Sequence, residues 1–598
     1  MKNFVASLLG SLVALIIFAC GAVVLVLLAI GALATMGNKA PTMEKGSYLV
    51  FDVSTNLSDA VPEFDLGELT GGRVKSLQVR SVTEALTAAA HDERIAGVVL
   101  TGTFQPVDYG TGYAALKEVR TALQACRDAG KPVHAFLTYA TTRDYYLASV
   151  ASDIVLDPYG MIMMPGLASQ PVFFAGAFEK YGVGVQVTRV GKYKSYVEPF
   201  THKEMSPENR EETQRLLSDL WRELLADIGQ SRELAPATVQ HVVDTEGLIR
   251  AEAAKDANLV DRVAYRDELL DELKLKTGRR GTKQAFKQIA LGDYIKMRGD
   301  SRPGQLTQNR GRVAIVYTEG EIVDGEGQIG EVGGDKFSRE IRRLRLDDEV
   351  KAIVLRVNSP GGSVSASEAI QREVRLARQK KPVIVSMGAY AASGGYWIST
   401  YSDHIFAEPT TITGSIGVFG IQFDVQKLAN NFGITFDRVK TATFADAITI
   451  ARPKTEQELA IFQRMVDWIY EQFVTKVADA RKLDRAHVEE IAQGRVWSGR
   501  EALKLGLVDE MGGLDAALRY AAQKAGLGES YRVSEFPRKK ELAEAVADWF
   551  GRPRPESGAH AGLPGAVWQR LQSEWRALQT FNDPAGVYAR LPLNLSLN

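Results

Sequence analysis

The chain contains one stretch of sequence twice, first as Lys131-Pro-Val-His-Ala-Phe-Leu-Thr-Tyr-Ala-Thr-Thr-Arg-Asp-Tyr-Tyr-Leu-Ala-Ser and, 250 positions later, as Lys381-Pro-Val-Ile-Val-Ser-Met-Gly-Ala-Tyr-Ala-Ala-Ser-Gly-Gly-Tyr-Trp-Ile-Ser. The similarity continues to Ala257-Asn-Leu-Val-Asp, which matches Leu505-Gly-Leu-Val-Asp at an offset of 248. Similar segments at an almost constant offset indicate an internal duplication. The sequence therefore predicts two copies of one domain in tandem.

Strand-like and helix-like segments alternate in both copies. Ser47-Tyr-Leu-Val-Phe-Asp-Val and Ala96-Gly-Val-Val-Leu are typical of short buried strands, and residues 113–129 are typical of a helix. The second copy repeats this order with Arg312-Val-Ala-Ile-Val-Tyr, Ala352-Ile-Val-Leu-Arg-Val and a helix after Ser363. This alternation predicts an α/β fold built from βαβ units with mostly parallel sheets.

Composition shifts and Gly/Pro breakers divide the chain into five predicted segments. These are an N-terminal transmembrane anchor at 1–40, an N-terminal α/β repeat at 46–265, a connecting segment at 266–310, a C-terminal α/β repeat at 311–530 and a helical tail at 531–598. In the tail, Glu541–Phe550 is a candidate amphipathic helix. We expect the tail to make docking or oligomer contacts and to take no part in chemistry.

Bulk composition excludes several classes of function. The 598 residues are 45% hydrophobic and 24% charged, as in ordinary globular proteins. A net charge of −1 gives no basic field for phosphate backbones, so nucleic acid is not expected as a partner. The two cysteines, Cys20 and Cys126, cannot form a disulfide framework or a thiolate metal site, and no phosphate-binding loop or metal-spaced His/Glu pair occurs. We therefore expect no metal and no cofactor.

The N-terminus predicts a membrane anchor. No charged residue occurs from Phe4 to Gly37, and the apolar run Leu8–Leu33 exceeds the ~20 residues that cross a bilayer. A cleaved secretory signal has an apolar region of only about 7–15 residues. We therefore expect a single retained span in a bacterial inner (cytoplasmic) membrane. The bulk of the chain follows this span and is expected on the periplasmic face.

The two copies differ at Ser393, where the first copy has Arg143-Asp-Tyr and the second has Ser-Gly-Gly. A hydroxyl at the start of a helix faces unpaired N–H groups and the positive end of the helix dipole, which can stabilise an oxyanion. The loop Val357-Asn-Ser-Pro-Gly-Gly-Ser can add further N–H groups. The sequence thus predicts Ser393 as a nucleophile, with Gly361, Gly362 and Gly394 around the oxyanion. A simple N-cap is the alternative.

A lysine is the remaining candidate base, because no histidine lies in a recognisable catalytic motif and none occurs between His404 and His487. Only the first copy keeps the lysines of Arg189-Val-Gly-Lys-Tyr-Lys, and burial could bring a lysine pKa from about 10.4 to roughly 7 or 8. The internal alignment does not choose between Lys192 and Lys194. Ser415, in Thr413-Gly-Ser-Ile-Gly, is a candidate hydroxyl for orienting the amine, or a turn serine.

Taken together, the runs around Gly361, Ser393, Ser415 and Lys194 resemble the signal peptide peptidases of the protease IV type, in their long duplicated bacterial form. The resemblance covers nearly the whole chain, anchor included. It implies tandem domains of the Clp protease/crotonase superfamily and a Ser/Lys dyad. Cleavage of remnant signal peptides at the membrane and a tetramer with inward-facing sites are implied as well.

By motif, the resemblance makes Ser393 the nucleophile, Lys194 the general base and Ser415 the hydroxyl that binds the lysine. Expected partners are apolar peptide substrates, the membrane and further copies of the chain. A crotonase-like acyl-CoA hydratase or hydrolase, which would use the oxyanion N–H groups on a thioester, is one alternative. An inactive membrane-anchored scaffold is the other.

Overall fold

The computed structural model describes residues 10, 15, 18, 21, 42–60, 74–281, 283–300, 311–529, 531–538, 580–583 and 586–591. The predicted anchor at residues 1–40 lies outside this part of the chain except at four positions, and the candidate helix Glu541–Phe550 lies wholly outside it. Among the described residues, no helix combines the length and the apolar character that crossing a bilayer requires.

The first repeat alternates strands with helices as the sequence predicts. Its strands are β1 (Ser47–Asp52), β2 (Asn56–Ser58), β3 (Ser76–Gln78), β4 (Ile95–Thr101), β5 (Val133–Thr141), β6 (Asp153–Met163), β7 (Gly184–Arg189), β8 (Leu248–Arg250), β9 (Arg262–Val263) and β10 (Gln288–Ala290). Its helices are α1 (Val79–His91), α2 (Tyr113–Asp128), α3 (Thr142–Ala148), α4 (Ala175–Tyr181), α5 (Glu198–Thr201), α6 (Pro207–Arg232), α7 (Pro236–Glu246), α8 (Ala251–Asp256), α9 (Arg266–Lys276) and α10 (Leu291–Asp300).

The second repeat has the same alternation. Its strands, with those of the tail, are β11 (Arg312–Glu319), β12 (Glu321–Val323), β13 (Glu331–Gly333), β14 (Val350–Ser359), β15 (Gly361–Ser363), β16 (Val383–Ala392), β17 (His404–Ala407), β18 (Ile412–Gly414), β19 (Phe419–Asp424), β20 (Val496–Ser498), β21 (Glu510–Met511), β22 (Arg532–Phe536) and β23 (Val587–Arg590). Its helices are α11 (Gly334–Leu346), α12 (Val364–Arg378), α13 (Gly394–Ser399), α14 (Gln426–Asn431), α15 (Glu456–Arg481), α16 (Arg485–Ile491), α17 (Gly499–Lys504) and α18 (Leu514–Lys524).

Each repeat is built around its own sheet, and the two sheets share one topology. The first has the order β10-β1-β4-β5-β6-β8, and the second has the order β22-β11-β14-β16-β18-β20. Neighbouring strands are parallel except at the β8 and β20 edges. The predicted duplication of a mostly parallel α/β domain is therefore confirmed.

The central strands are buried along almost their whole length, as in parallel sheets covered by helices on both faces. In β14, every residue except Lys351 is buried, and in β16 every residue except Tyr390 is buried. The apolar runs of these strands supply the core of the second repeat, and the loops after them place the functional side chains.

The described ends of the predicted tail are strands, which differs from the helical expectation. Strand β22 pairs in parallel with β11, just as β10 pairs with β1; the sequence predicts residues 288–290 as part of a connecting segment, but they complete the sheet of the first repeat. Without these additions, β1 and β11 would be edge strands with unpaired backbone groups. The strand conformation of both β10 and β22 therefore depends on pairing with a strand that is distant in the sequence.

A third sheet joins the two repeats. Its order is β13-β12-β15-β23-β19-β7, so it combines β7 of the first repeat, four strands of the second repeat and β23 of the tail. The β7–β19 ladder is antiparallel and runs from Arg189 opposite Phe419 to Gly184 opposite Asp424. Because β7 ends five residues before Lys194, this ladder delivers the lysine to the second repeat.

A buried arginine also links the repeats. Arg356 of β14 is fully buried and contacts two carboxylates of the first repeat, Asp59 at 2.7 Å and Glu118 at 2.5 Å. Glu118 further accepts a hydrogen bond from the Leu514 N–H at 2.8 Å. This buried ion network fixes the first repeat against the central strand that leads to the loop around Gly361.

Candidate active site

Ser393 lies at the start of α13 in a strained backbone conformation. Its φ of 55° lies in a region that non-glycine residues rarely adopt, and such strain is concentrated at functional sites. The Ser393 N–H donates to the Gly414 carbonyl at 2.8 Å, but the hydroxyl makes no capping hydrogen bond to the helix. Ser393 therefore occupies the N-cap position without capping the helix through its side chain, and the hydroxyl is available for other contacts.

Lys194 contacts this hydroxyl although 199 positions separate the two residues. The Lys194 Nζ atom lies 2.8 Å from Ser393 Oγ, 2.9 Å from Ser415 Oγ and 3.2 Å from the Ser415 carbonyl oxygen. Lys194, Ser393 and Ser415 are each 0% exposed. The structure thus brings together the three side chains that the sequence motifs singled out.

Lys192 does not belong to this group. Its side chain is exposed, and its Nζ atom lies 5.1 Å from the centre of the Tyr193 ring. Burial lowers the pKa of the Lys194 amine well below its ordinary value, and the nearby Glu212 carboxyl opposes that shift. A neutral amine in contact with a serine hydroxyl can accept its proton.

Two glycines of the second repeat make room for the lysine. A Cβ on Gly494, whose φ is +81°, would lie 2.7 Å from the Lys194 backbone nitrogen. A Cβ on Gly417 would lie 3.3 Å from Lys194 Cδ. The sequence analysis missed Gly494, because nothing in its local sequence marks it as a neighbour of a residue 300 positions earlier.

The predicted oxyanion glycines occupy different places. Gly361 and Gly394 are adjacent, since a Cβ on Gly361 would lie 2.6 Å from the Gly394 nitrogen. Gly362 lies in β15 opposite Ala589 of β23. The Gly361 N–H donates to Ser359 Oγ at 3.2 Å. Gly361 and Gly394 therefore line the space beside Ser393, whereas Gly362 is paired inside the sheet, with Ile322 of β12 on one side and Ala589 of β23 on the other.

Strand β23 fills the groove next to these glycines. It is antiparallel to β15 on one side and to β19 on the other, and the Ala589 carbonyl oxygen lies against both Gly361 and Gly394. Asp583 holds this segment by accepting hydrogen bonds from Ser363 Oγ at 2.6 Å and the Ser365 N–H at 3.0 Å. The sequence analysis did not predict β23. Its position shows that the groove accepts an extended backbone.

No group of three or more His, Cys, Asp or Glu side chains among the described residues could hold a metal ion. His404 lies in β17, where its Nε2 atom is 3.2 Å from a Glu510 oxygen. The arrangement around Ser393 is that of a lysine amine against a serine hydroxyl in a buried site.

The chain is similar to known peptidases over most of its length. The sequence profile of Peptidase family S49 matches residues 125–279 and 375–528, and that of Clp protease matches residues 314–407. "Protease 4" of Salmonella typhi is 35% identical over 94% of this chain and 93% of that protein. "Protease 4" of Haemophilus influenzae is 33% identical over 94% of both chains. "Serine protease SPPA, chloroplastic" of Arabidopsis thaliana is 31% identical over 82% of this chain and 71% of that protein.

Proposed function

Because this chain belongs to peptidase family S49 and is a serine peptidase, we propose that Ser393 and Lys194 form its catalytic dyad and that it cleaves released signal peptides at a membrane. The 2.8 Å contact between Lys194 Nζ and Ser393 Oγ carries the proposal for the dyad. The name of an Enterococcus faecium relative, "Putative signal peptide peptidase SppA", supports the substrate class. That relative is 32% identical over 46% of this chain.

The proposed reaction is acyl transfer to Ser393. Neutral Lys194 takes the hydroxyl proton while Ser393 Oγ attacks the peptide carbonyl, and Ser415 holds the amine in place. Backbone N–H groups near Gly361 and Gly394 stabilise the oxyanion. The C–N bond then breaks as the Lys194 ammonium protonates the leaving amine. The Lys194 amine, neutral again, then deprotonates a water molecule that attacks the ester carbonyl, and the resulting ammonium returns the proton to Ser393 Oγ as the ester bond breaks.

The groove that holds β23 is the proposed binding site for the substrate backbone. An extended peptide placed there would pair with β15 and β19 and bring a carbonyl to the position that the Ala589 carbonyl occupies beside Gly361 and Gly394. Tyr588, the neighbouring residue of β23, packs against Phe419 in an aromatic cluster. These contacts favour apolar side chains in the substrate and require β23 to leave the groove.

The apolar run Leu8–Leu33 supports the proposal of a single-pass anchor in the inner membrane of a bacterium, with the catalytic repeats on the periplasmic face. An anchored enzyme meets its apolar substrates where signal peptides are left after cleavage. Protease protection of the repeats in intact spheroplasts tests this placement, since digestion by added protease is expected only on the periplasmic side.

The duplication also supports a homo-oligomer. Residues 433–438 are the repeat of β7, but they form no strand, and Ile434 and Phe436 are 56% and 50% exposed. The equivalent residues in β7, Val185 and Val187, pack into the aromatic cluster beside β19. Residues 169–174, the repeat of β19, have no strand partner in the described part of the chain.

We therefore propose that residues 433–438 of one copy pair with residues 169–174 of the next copy, as β7 pairs with β19 within the chain. Such a head-to-tail contact generates a closed ring when its rotation closes, and the proposed ring is a tetramer. In light scattering on the detergent-solubilised full chain, Phe436→Asp should shift the mass toward the single chain. Leu346→Asp, at an exposed apolar position in α11, is the matched control and should keep the assembly. An intact tetramer in Phe436→Asp contradicts the pairing.

Two alanine variants test the dyad. Ser393→Ala and Lys194→Ala should each abolish cleavage of a fluorogenic signal-peptide substrate, whereas Lys192→Ala should retain it because that side chain is exposed. A serine-directed fluorophosphonate should label Ser393 in the wild type and react more slowly in Lys194→Ala. Full activity of Lys194→Ala would show that the base lies elsewhere.

A further inference from the structure

Glu212 is a buried carboxyl that the reaction above leaves unused. It lies in α6, and only 1% of its surface is exposed. Its Oε2 atom accepts a hydrogen bond from the Val496 N–H at 2.9 Å, while its Oε1 atom has no hydrogen-bond partner among the described residues. A carboxyl group half-paired in a dry interior costs stability, so its presence there requires an explanation.

The segment that Glu212 binds also encloses the lysine. Val496 lies opposite Gly414 in the β18–β20 ladder, and Gly414 directly precedes Ser415, the residue that contacts the Lys194 amine. Two positions before Val496, Gly494 packs against the Lys194 backbone. Glu212 and Lys194 are thus held against the same short stretch of backbone, within range of a direct electrostatic interaction.

We propose that Glu212 is a positioning residue of the dyad, whose carboxyl controls the protonation state of the Lys194 amine. This inference rests on the proposed function, because it assigns Glu212 a role only if Lys194 is the base. Glu212 touches no substrate and acts through Lys194. The sequence analysis missed it because a glutamate in an amphipathic helix is typical of a solvated face.

Charge and burial explain how the pair works. Burial raises the pKa of the Glu212 carboxyl well above its usual range and lowers that of the Lys194 amine, and each of the two groups opposes the shift of the other. A negative charge on Glu212 favours the ammonium form of Lys194, which is the form that develops as the serine proton is taken. Among the other charged groups that act on the carboxyl, Arg495 favours its ionised form and Glu198 disfavours it.

The test is the pH profile of kcat/KM for Glu212→Gln in the full-length protein. Glutamine keeps an oxygen acceptor for the Val496 N–H but cannot ionise. We expect the acid limb of this profile, the pH range over which kcat/KM rises as Lys194 loses its proton, to move to lower pH by about one unit. This is the lower end of the pKa shifts that a nearby opposite charge produces. We also expect kcat on the plateau to fall, because the ammonium loses its counter-charge. Glu212→Asp, which still ionises, should give an acid limb between those of the wild type and Glu212→Gln.

Glu204→Gln is the control. Glu204 is an exposed glutamate three residues before α6, so its loss should leave the limb in place. An unmoved limb in Glu212→Gln refutes the role of Glu212 while leaving the dyad intact, whereas full activity of Lys194→Ala refutes both. If Glu212→Gln does not fold, Glu212→Asp decides, and a profile equal to that of the wild type then refutes the proposal.

Discussion

Replacing Gly494 by alanine should separate the geometric requirement of the lysine site from the general cost of changing a glycine. The new Cβ would lie 2.7 Å from the nitrogen and Cβ of Lys194, against the 3.4 Å of an ordinary contact, so these atoms must move apart by about 0.7 Å. The obstructing atoms belong to backbone or lie next to it and cannot rotate away. The Lys194 amine therefore shifts relative to Ser393 Oγ.

The expected loss follows from that shift. A misplacement of about 1 Å at a reacting group can cost roughly 100-fold in rate, so Gly494→Ala should lower kcat by about one to two orders of magnitude. The alanine also occupies a left-handed conformation, which costs about 1–2 kcal/mol of folding stability. Steady-state kinetics on a fluorogenic peptide and thermal unfolding measure the two effects separately.

Gly130→Ala provides the matched control. Its φ of +78° is close to the +81° of Gly494, but a Cβ there would meet no atom within 4 Å. It should therefore lose a similar amount of stability and keep its kcat. If both variants retain wild-type kcat, or if both lose it equally, close contact at Gly494 does not position the lysine and the reasoning is wrong.

Three further predictions concern the lysine, the tail and the buried ion network. Because burial lowers the pKa of Lys194, the unfolded chain binds more protons than the folded chain near neutral pH, and folding stability decreases as pH falls. Lys194→Met removes this buried amine, so it should raise the melting temperature at pH 7 and make the melting temperature less dependent on pH. Asp583→Ala removes two hydrogen bonds that hold β23 in the groove, so kcat/KM should rise several-fold, and a fall would indicate that β23 is a fixed wall of the site. Arg356→Met leaves the buried carboxylates of Asp59 and Glu118 without their ion-pair partner and should lower the free energy of unfolding in denaturant by about 3–5 kcal/mol. Arg339→Met, which removes an exposed ion pair, is the control and should leave the unfolding transition unchanged.

The sequence was sufficient for the fold of each repeat because long apolar strands and their spacing are local properties. Strands β14 and β16 follow directly from such runs. Strands β10, β22 and β23 are three to five residues long and carry no period of their own, so the strands beside them determine their structure. Short edge elements of this kind depend on tertiary pairing, which a local pattern does not contain.

The site shows the same division. Ser393 could be predicted because a change between the two copies marks it, and Lys194 and Ser415 because motifs carry them. Burial, which separates Lys194 from Lys192, depends on the β7–β19 ladder and on Gly494, and both are long-range features. The internal alignment alone therefore could not choose between the two lysines.

The duplication also accounts for the division of the dyad between repeats. In the β7–β19 contact, β7 of the first repeat is followed by Lys194, and the second repeat, which contributes β19, contains Ser393. In the proposed contact between copies, residues 433–438 of one copy are followed by Thr443 at the position equivalent to Lys194. The first repeat of the next copy, which contains residues 169–174, has Arg143 at the position equivalent to Ser393. The proposed ring would therefore alternate catalytic and purely structural junctions, with one active site per chain. On this proposal, divergence of the two copies has removed chemistry from the junctions between chains and kept it at the junction within each chain, where Lys194 and Ser393 are always present at equal concentration.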